Sequence, residues 1–440
     1  MADPTQPDHK HHSWAPKPPL GWNSFICYGS SVTEDQFKAN VDAFAEKLAP
    51  SGWEYCVLDF CWSHPDPGPV ANPNQESGFR PRLACDQWGR LLPAPERFPS
   101  SADGAGLKPL ADYVHARGLK FGLHIMRGIP RQAVEDNLPV KGSDFNAAAI
   151  ADPSSTCTWL NHMYGVNMET GEAQAWYDSI FELYAEWGVD YIKADDILTD
   201  YPGPYHAAEI EAIRSAIDKC GRPMVLSLSP GPAPVNRAAH LAANANLWRM
   251  SADFWDRWEK LREMFYFCNA WTGLGDSGYW PDADMLPLGR IALCGPEGPP
   301  RSSQFTPEEQ KTMITLWSIF RSPLMMGGDL PATGEETFAL LTNREVLEAN
   351  QEGRNPYQLY RHQHLVAWVS EAASGRDRYL ALFNLGDRAE PVPVRFSQLD
   401  RGSRLHFRDL WSGKDLGVMN NQYAPELPPH GSALYRITPA

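Results

Sequence analysis

A (β/α)8 (TIM) barrel followed by a small antiparallel β-sandwich is the fold class this sequence predicts, on three observations. A unit of helical apolar stripe, glycine and short apolar strand occurs four times in succession, as parallel strands joined by crossover helices require. A first strand near residue 20 and three later strand-like runs bring the strands to eight, all between residues 18 and 350. Near residue 355 the pattern changes to short alternating runs separated by turns, the mark of an antiparallel β domain.

Taken in order, residues 18–25 (PPLGWNSF) read as a strand entering a loop. Thr33 and Gln36 form a capping box, and Phe37, Val41, Phe44 and Leu48 give the helical stripe behind it. Gly52 then precedes the strand 54–62 (EYCVLDFCW). Leu107, Leu110, Ala111 and Val114 lead through Gly118 to the strand 120–126 (KFGLHIM). Trp176, Ile180, Leu183 and Trp187 lead through Gly188 to 189–197, and Ile210, Ile213 and Ile217 through Gly221 to 223–229. Runs at 246–254, 280–286 and 322–330 complete the eight. A doubly wound open sheet is the alternative, but it calls for a glycine-rich phosphate turn that the sequence lacks. The sandwich, residues 355–440, is read from runs at 358–370, 379–385, 392–396, 405–410 and 433–437, and residues 1–17 as a flexible polar tail.

Composition narrows the function. A net charge of −15 argues against nucleic acid or an anionic membrane as partner, since both reward basic patches. No run of eighteen apolar residues is present to span a bilayer. The N-terminal residues lack the apolar core of a signal peptide, which reads as a cytoplasmic protein or one whose leader has been removed. Eight cysteines without a CxxC pair make no disulfide framework, and Cys56 and Cys61 read as small core residues. His9, His11 and His12 read as part of the tail rather than as metal ligands, and no metal or cofactor is expected.

Barrel enzymes work at the C-terminal ends of their strands. The polar residues there are Asp59, His124, Lys193, Asp195, Ser229, Arg249, Asp253, Asp282 and Asp284. Alternation along a strand puts Lys193 and Asp195 on one face and Asp196 on the other, and gives Arg249, Ser251 and Asp253 a shared face as well. Two carboxylates facing one pocket, each with its own cation, suit double displacement at an acetal carbon. One stays ionised as nucleophile, kept so by a cation such as Lys193, and the other carries a proton for the leaving oxygen. Their separation sets the stereochemistry, about 5–5.5 Å predicting retention. Trp22, Trp62, Trp159 and Trp280, near strand ends, offer flat faces for sugar rings or pack the core.

At these residues the chain resembles glycoside hydrolase family 27, the α-galactosidase (melibiase) type. Five motifs in order carry the resemblance: 18–24 (PPLGWNS), 58–62 (LDFCW), 187–195 (WGVDYIKAD), 248–253 (WRMSAD) and 280–286 (WPDADML). It implies a retaining exo-acting α-glycosidase with Asp195 as nucleophile and Asp253 as acid/base. Lys193 and Arg249 match hydroxyl-binding residues, Asp59 the first of two aspartates that hold the distal hydroxyls of galactose, and Asp284 a pocket-wall carboxylate. Trp22, Phe25, His124 and Trp280 complete the implied sugar-binding set.

The departures fall in that sugar-reading shell. Phe60 stands where galactose-specific members carry the second aspartate, His124 in place of a tyrosine, Ser229 in place of a glutamate that holds the 2-hydroxyl, and Phe25 in place of an aromatic that is often Trp. A cysteine common after the nucleophile is absent, which leaves Cys157 without the partner the family pattern would give it. The favoured substrate is an oligosaccharide or polysaccharide ending in an α-D-galactoside. An apolar Phe60 would also suit β-L-arabinopyranose, which is galactose without its hydroxymethyl group. Ser229 would leave room for a 2-acetamido group, and an isomaltodextranase-like glucose ring would need a changed 4-hydroxyl reader. His124 either replaces a lost hydrogen bond or is a satisfied core histidine. The rivals are a carbohydrate-binding barrel without turnover, and a phosphate-binding barrel for which Gly327-Gly328-Asp329 is too short and too acidic. Oligomeric state is left open.

Overall fold

The structure, a computed structural model, describes residues 9–67, 82–198 and 204–440. Its first eight-stranded sheet is built from β1 (Leu20–Asn23), β2 (Tyr55–Leu58), β3 (Lys120–Met126), β4 (Tyr191–Asp195), β5 (Val225–Leu228), β6 (Leu247–Arg249), β7 (Trp280–Asp282) and β8 (Leu324–Met326). Each pairs in parallel with its chain neighbour from β1 to β7, and β1 also pairs with β8, Leu20 opposite Leu324. The ring closes just beyond β7, where Leu286 N–H donates to Met325 O at 2.7 Å and Gly327 N–H to Leu286 O at 3.0 Å. Closure excludes the doubly wound alternative.

Helices α1 (Glu34–Lys47), α2 (Lys108–His115), α3 (Ala173–Trp187), α4 (Ala207–Lys219), α5 (Ala238–Asn244), α6 (Trp258–Ala270) and α7 (Pro307–Phe320) each follow one strand, and α8 (Glu335–Leu341) and α9 (Arg344–Glu352) follow β8. The Thr33/Gln36 capping box starts α1, and Phe37, Val41, Phe44 and Leu48 are fully buried behind it. Gly188 ends α3 at φ 85°, a left-handed cap that costs glycine nothing. Strand alternation divides the core. Tyr55, Val57, Tyr191, Val225 and Leu247 fill the barrel interior, while Cys56, Leu58, Ile192, Ala194, Leu226 and Trp248 face the helices.

One segment differs from the sequence reading. Residues 9–17 are no loose tail. Lys10–Trp14 forms a 3-10 helix in which the Nε2 atoms of His11 and His12 lie 3.3 and 2.8 Å from Ala242 O, and Asn246 donates to His11 O at 2.8 Å. These contacts, with His11 only 3% exposed, pin the segment beneath the barrel. Residues 1–8 of that tail lie outside the described residues, as do residues 68–81 of the long loop after β2. In the rest of that loop Arg97 donates to the carbonyls of Ser30, Val32, Cys61 and His64, which explains one arginine of a stretch rich in them.

The C-terminal domain is a six-stranded antiparallel sheet of β9 (Arg354–His362), β10 (Leu365–Glu371), β11 (Arg378–Asn384), β12 (Arg404–Asp409), β13 (Lys414–Asn420) and β14 (Ser432–Pro439), ordered 9-10-11-14-12-13. A turn with Gln363 at φ 54° divides the run read as one strand over 358–370. The sequence analysis assigns no run to β13, an edge strand with no fully buried residue. One face of the sheet buries Val366, Trp368, Tyr379 and Phe383 in the same cluster as Phe265 of α6 and Phe320 of α7. The other face buries Ala367, Val369, Leu380 and Leu382 under Val392, Val394 and Phe396, which makes the second layer of the sandwich.

Candidate active site

The C-terminal mouths of β2 to β6 converge on a cleft of about 600 Å³, within the range of roughly 300–1,000 Å³ usual for small-molecule sites. Phe25, Asp59, Phe60, Lys193, Asp195, Ser229, Arg249 and Asp253 line it, together with Trp159 and Trp255. Eight of the twelve residues that the resemblance assigns to the site thus meet in one place, joined by Trp159, one of the tryptophans noted as faces for sugar rings. Trp255 was missed; it stands two residues beyond Asp253, in a loop where no periodicity marks it.

Asp195 ends β4 with each carboxylate oxygen held. Oδ2 lies 2.9 Å from His124 Nε2, and Oδ1 accepts the Asp196 N–H at 2.9 Å. Burial pushes its pKa up, but the His124 hydrogen bond and the charges of His124 and Lys193 outweigh that and hold it at about 2. The direct partner is therefore His124 rather than Lys193. Lys193 Nζ sits 3.0 Å from Asp59 Oδ2 and over the Phe25 ring. Asp59 also accepts from the Asn23 side chain at 2.7 Å; burial raises its pKa, and Lys193 and His124 more than reverse that.

Asp253 arrives by a different route from the one its spacing suggests. β6 stops at Arg249, and the chain turns before Asp253 comes back within 3.3 Å of Arg249 Nη2. At the strand's end Met250 N–H donates to Asp282 O and Arg249 O accepts the Ala233 N–H. The Asp253 side chain stays 46% exposed in the cleft, against 13% for Asp195. Two carboxylates of one site thus have unlike surroundings.

Asp284 is not a wall of the cleft. It is 2% exposed behind Arg249, bonded to Arg249 Nη2 at 2.8 Å and to the Phe254 N–H at 2.7 Å. Burial pushes its pKa up to about 7 despite Arg249, with Asp253 and Asp282 adding to the rise. Trp22 and Trp280 are also absent from the cleft. Trp22 points outward from β1, packs on Phe37 and donates to Gly328 O. Trp280 starts β7 at the opposite end of the barrel, donating to Ala15 O under the Arg321 guanidinium.

Phe60 is 2% exposed, and its ring stands edge-on to Phe25 and His124 at 5.9 and 5.7 Å, with Trp159 also at 5.9 Å. His124, itself 2% exposed, lies beneath Phe60 and Asp195 and so works from behind the wall. Ser229, 1% exposed, precedes a cis proline and leaves its hydroxyl without a protein partner at the cleft. Cys157 is a buried free thiol. No group of side chains among the described residues has the makeup of a metal site.

Comparisons with known proteins bear on the family. Residues 165–352 match the profile Alpha galactosidase A, and residues 362–437 the Alpha galactosidase C-terminal beta sandwich domain. The α-galactosidase of Cyamopsis tetragonoloba is 26% identical over 429 residues, covering 96% of this chain and 86% of that protein. The α-N-acetylgalactosaminidase of Gallus gallus is 25% identical over 456 residues, covering 96% and 93%. The crystal structure of a GH27 β-L-arabinopyranosidase from Geobacillus stearothermophilus superposes with a TM-score of 0.95 at 49% identity, covering 99% of each chain. Barrel, sandwich and likeness over the whole length together make this chain a glycoside hydrolase of family 27.

Proposed function

We propose that this glycosidase is a retaining exo-enzyme whose preferred substrate is a terminal β-L-arabinopyranoside, with Asp195 as nucleophile and Asp253 as acid/base. An Asp195 oxygen attacks the anomeric carbon while the bond to the leaving oxygen breaks and Asp253 supplies that oxygen's proton. Water then attacks the same carbon, Asp253 takes its proton, and the ester bond to Asp195 breaks. A depressed pKa suits Asp195 to the first role, and exposure to the cleft suits Asp253 to exchanging protons with water.

The observation that carries the sugar assignment is the apolar wall of Phe60. Beside Lys193 and Asp59, which can hold ring hydroxyls, this wall offers no partner to a hydroxymethyl group. Burying that hydroxyl unpaired would cost about 1–3 kcal/mol, which a pentopyranose avoids. An α-D-galactoside, the substrate favoured from sequence, becomes the poorer one. The unpartnered Ser229 hydroxyl is a candidate partner for the 2-hydroxyl. The activity of the Geobacillus relative supports the same reading.

Turnover of nitrophenyl β-L-arabinopyranoside, α-D-galactoside, α-N-acetylgalactosaminide and α-D-glucoside by wild type and Asp195→Asn tests it. The arabinopyranoside should lead by tenfold or more in kcat/KM, and Asp195→Asn should abolish turnover. A lead by any other sugar sinks the substrate assignment, and an active Asp195→Asn sinks the nucleophile.

A further inference from the structure

Beyond β3 and β4 lies a buried ionic cluster that the reaction described above does not use. Its centre is Arg127, 2% exposed, one residue past the end of β3. The Arg127 N–H donates to Asp195 O at 3.0 Å and Nε to Asp196 O at 2.5 Å. Nη2 lies 3.1 Å from the Asp196 carboxylate, and Nη1 lies 3.0 Å from Glu209 of α4. Glu209 is anchored in turn by the Tyr177 hydroxyl, which accepts the Gly128 N–H at 3.0 Å. One guanidinium and its own backbone thus grip two successive carbonyls and a carboxylate at the turn carrying Asp195.

That turn has an unusual shape. Asp196 has φ 57°, left-handed backbone that aspartate tolerates better than most residues but glycine alone adopts freely. The Arg127 N–H holds Asp195 O, and the Asp196 N–H, in the same planar peptide as that carbonyl, donates to Asp195 Oδ1 at 2.9 Å. We propose that Arg127 and Asp196 are positioning residues that fix the left-handed turn and thereby aim the Asp195 carboxylate. The inference rests on the reading of Asp195 as nucleophile. Arg127 touches no part of the cleft, so it acts on the nucleophile's orientation and leaves sugar binding to other residues.

The test is a kcat and KM comparison of Arg127→Lys, Asp196→Ala, Asp196→Gly and Asp195→Asn, with circular dichroism and melting temperature for each. A lysine cannot grip three acceptors in a fork, and displacing a reacting group by about 1 Å costs up to roughly 100-fold. Arg127→Lys should therefore lose ten- to a hundredfold in kcat with KM within about twofold of wild type. Asp196→Gly should retain more kcat than Asp196→Ala, because glycine keeps the turn and alanine opposes it. A role in stability alone would show that order in melting temperature while leaving the kcat of both folded variants near wild type. Should Arg127→Lys fail to fold, the order of the two Asp196 variants decides. Wild-type kcat in the folded Arg127→Lys, or alanine equal to or better than glycine, overturns the proposal. An active Asp195→Asn would instead overturn the assignment beneath it.

Discussion

Replacing His124 by Phe removes the one side-chain donor to Asp195 among the described residues and keeps the volume of the ring. Asp195 is held at about 2 against a usual 3.8, a difference worth on the order of 2 kcal/mol. Burial works against that difference, so His124, Lys193 and the Asp196 N–H together supply more than the net figure. A hydrogen bond to a charged group contributes about 1.5–3 kcal/mol, which predicts a ten- to hundredfold loss in kcat/KM for His124→Phe. The sign of the pH effect follows from the same balance. Without His124 the depression weakens, the Asp195 pKa rises, and the protonated, unreactive form gains as pH falls. The assay is kcat/KM on an aryl glycoside from pH 4 to 8, read as the ratio of variant to wild type so that groups common to both cancel. The ratio should fall steadily toward low pH. In stability, the wild-type Asp195 contribution is present above about 4 and is lost as pH falls toward 2, a loss that should be smaller in the variant. A ratio that is flat with pH, or a variant within twofold of wild type, would refute the account of what keeps Asp195 ionised.

Asp253→Ala should slow hydrolysis of glycosides with poor leaving groups by about 10²–10⁴-fold while sparing those with good ones, since only the former need a proton; steady-state kinetics across aryl leaving groups reads this directly. Arg249→Met leaves Asp284 buried and unpaired, at a cost of about 3–5 kcal/mol when that group is charged. Asp284 already has a raised pKa, so its favourable contribution fades as pH rises through about 7; without Arg249 the fade should be steeper, and urea denaturation should show a larger loss at pH 8 than at pH 5. Phe383→Ala, which empties the contact with Phe265 between sandwich and barrel, should cost about 3–5 kcal/mol by the same method while leaving KM unchanged.

The parts of the site that sequence made legible are those ruled by short periods. Lys193 and Asp195 share a face because two residues separate them on β4, and both reach the cleft. Trp22 could have been excluded by the same rule: its neighbour Asn23 bonds Asp59 at the barrel mouth, so Trp22 must face the helices. Trp280 failed on a different count, since it begins its strand and the mouth is at the strand's other end. Strand alternation placed Asp253 in the site for a reason that does not hold, whereas the resemblance placed it there independently. Asp253 returns on a turn, and the spacing that put it on a strand face is coincidence. Arg127 and Trp255 carry no periodic signal, because loop residues are brought to a site by tertiary contacts that one sequence does not display. The eight strands and their helices, repeated units with glycine punctuation, were legible almost entirely.

The contact between Phe60 and His124 links the sugar wall to the chemistry. Phe60 stands edge-on to the ring that hydrogen-bonds Asp195, so a change at one position alters the surroundings of the other. Phe60→Asp, which restores the family's second carboxylate, would put a charge beside His124 and compete with Asp195 for its N–H. Alone it should shift the ratio of galactoside to arabinopyranoside turnover toward galactoside while lowering kcat on both. Adding His124→Tyr, the residue type of the resemblance, gives Asp195 a neutral donor that the new carboxylate competes for less. The pair should therefore recover kcat beyond the sum of its single effects, with a coupling of about 0.5–3 kcal/mol on a double-mutant cycle for each sugar. Additive effects on both sugars would mean that the wall and the nucleophile's partner are independent, and that the packing of Phe60 on His124 has no consequence for catalysis.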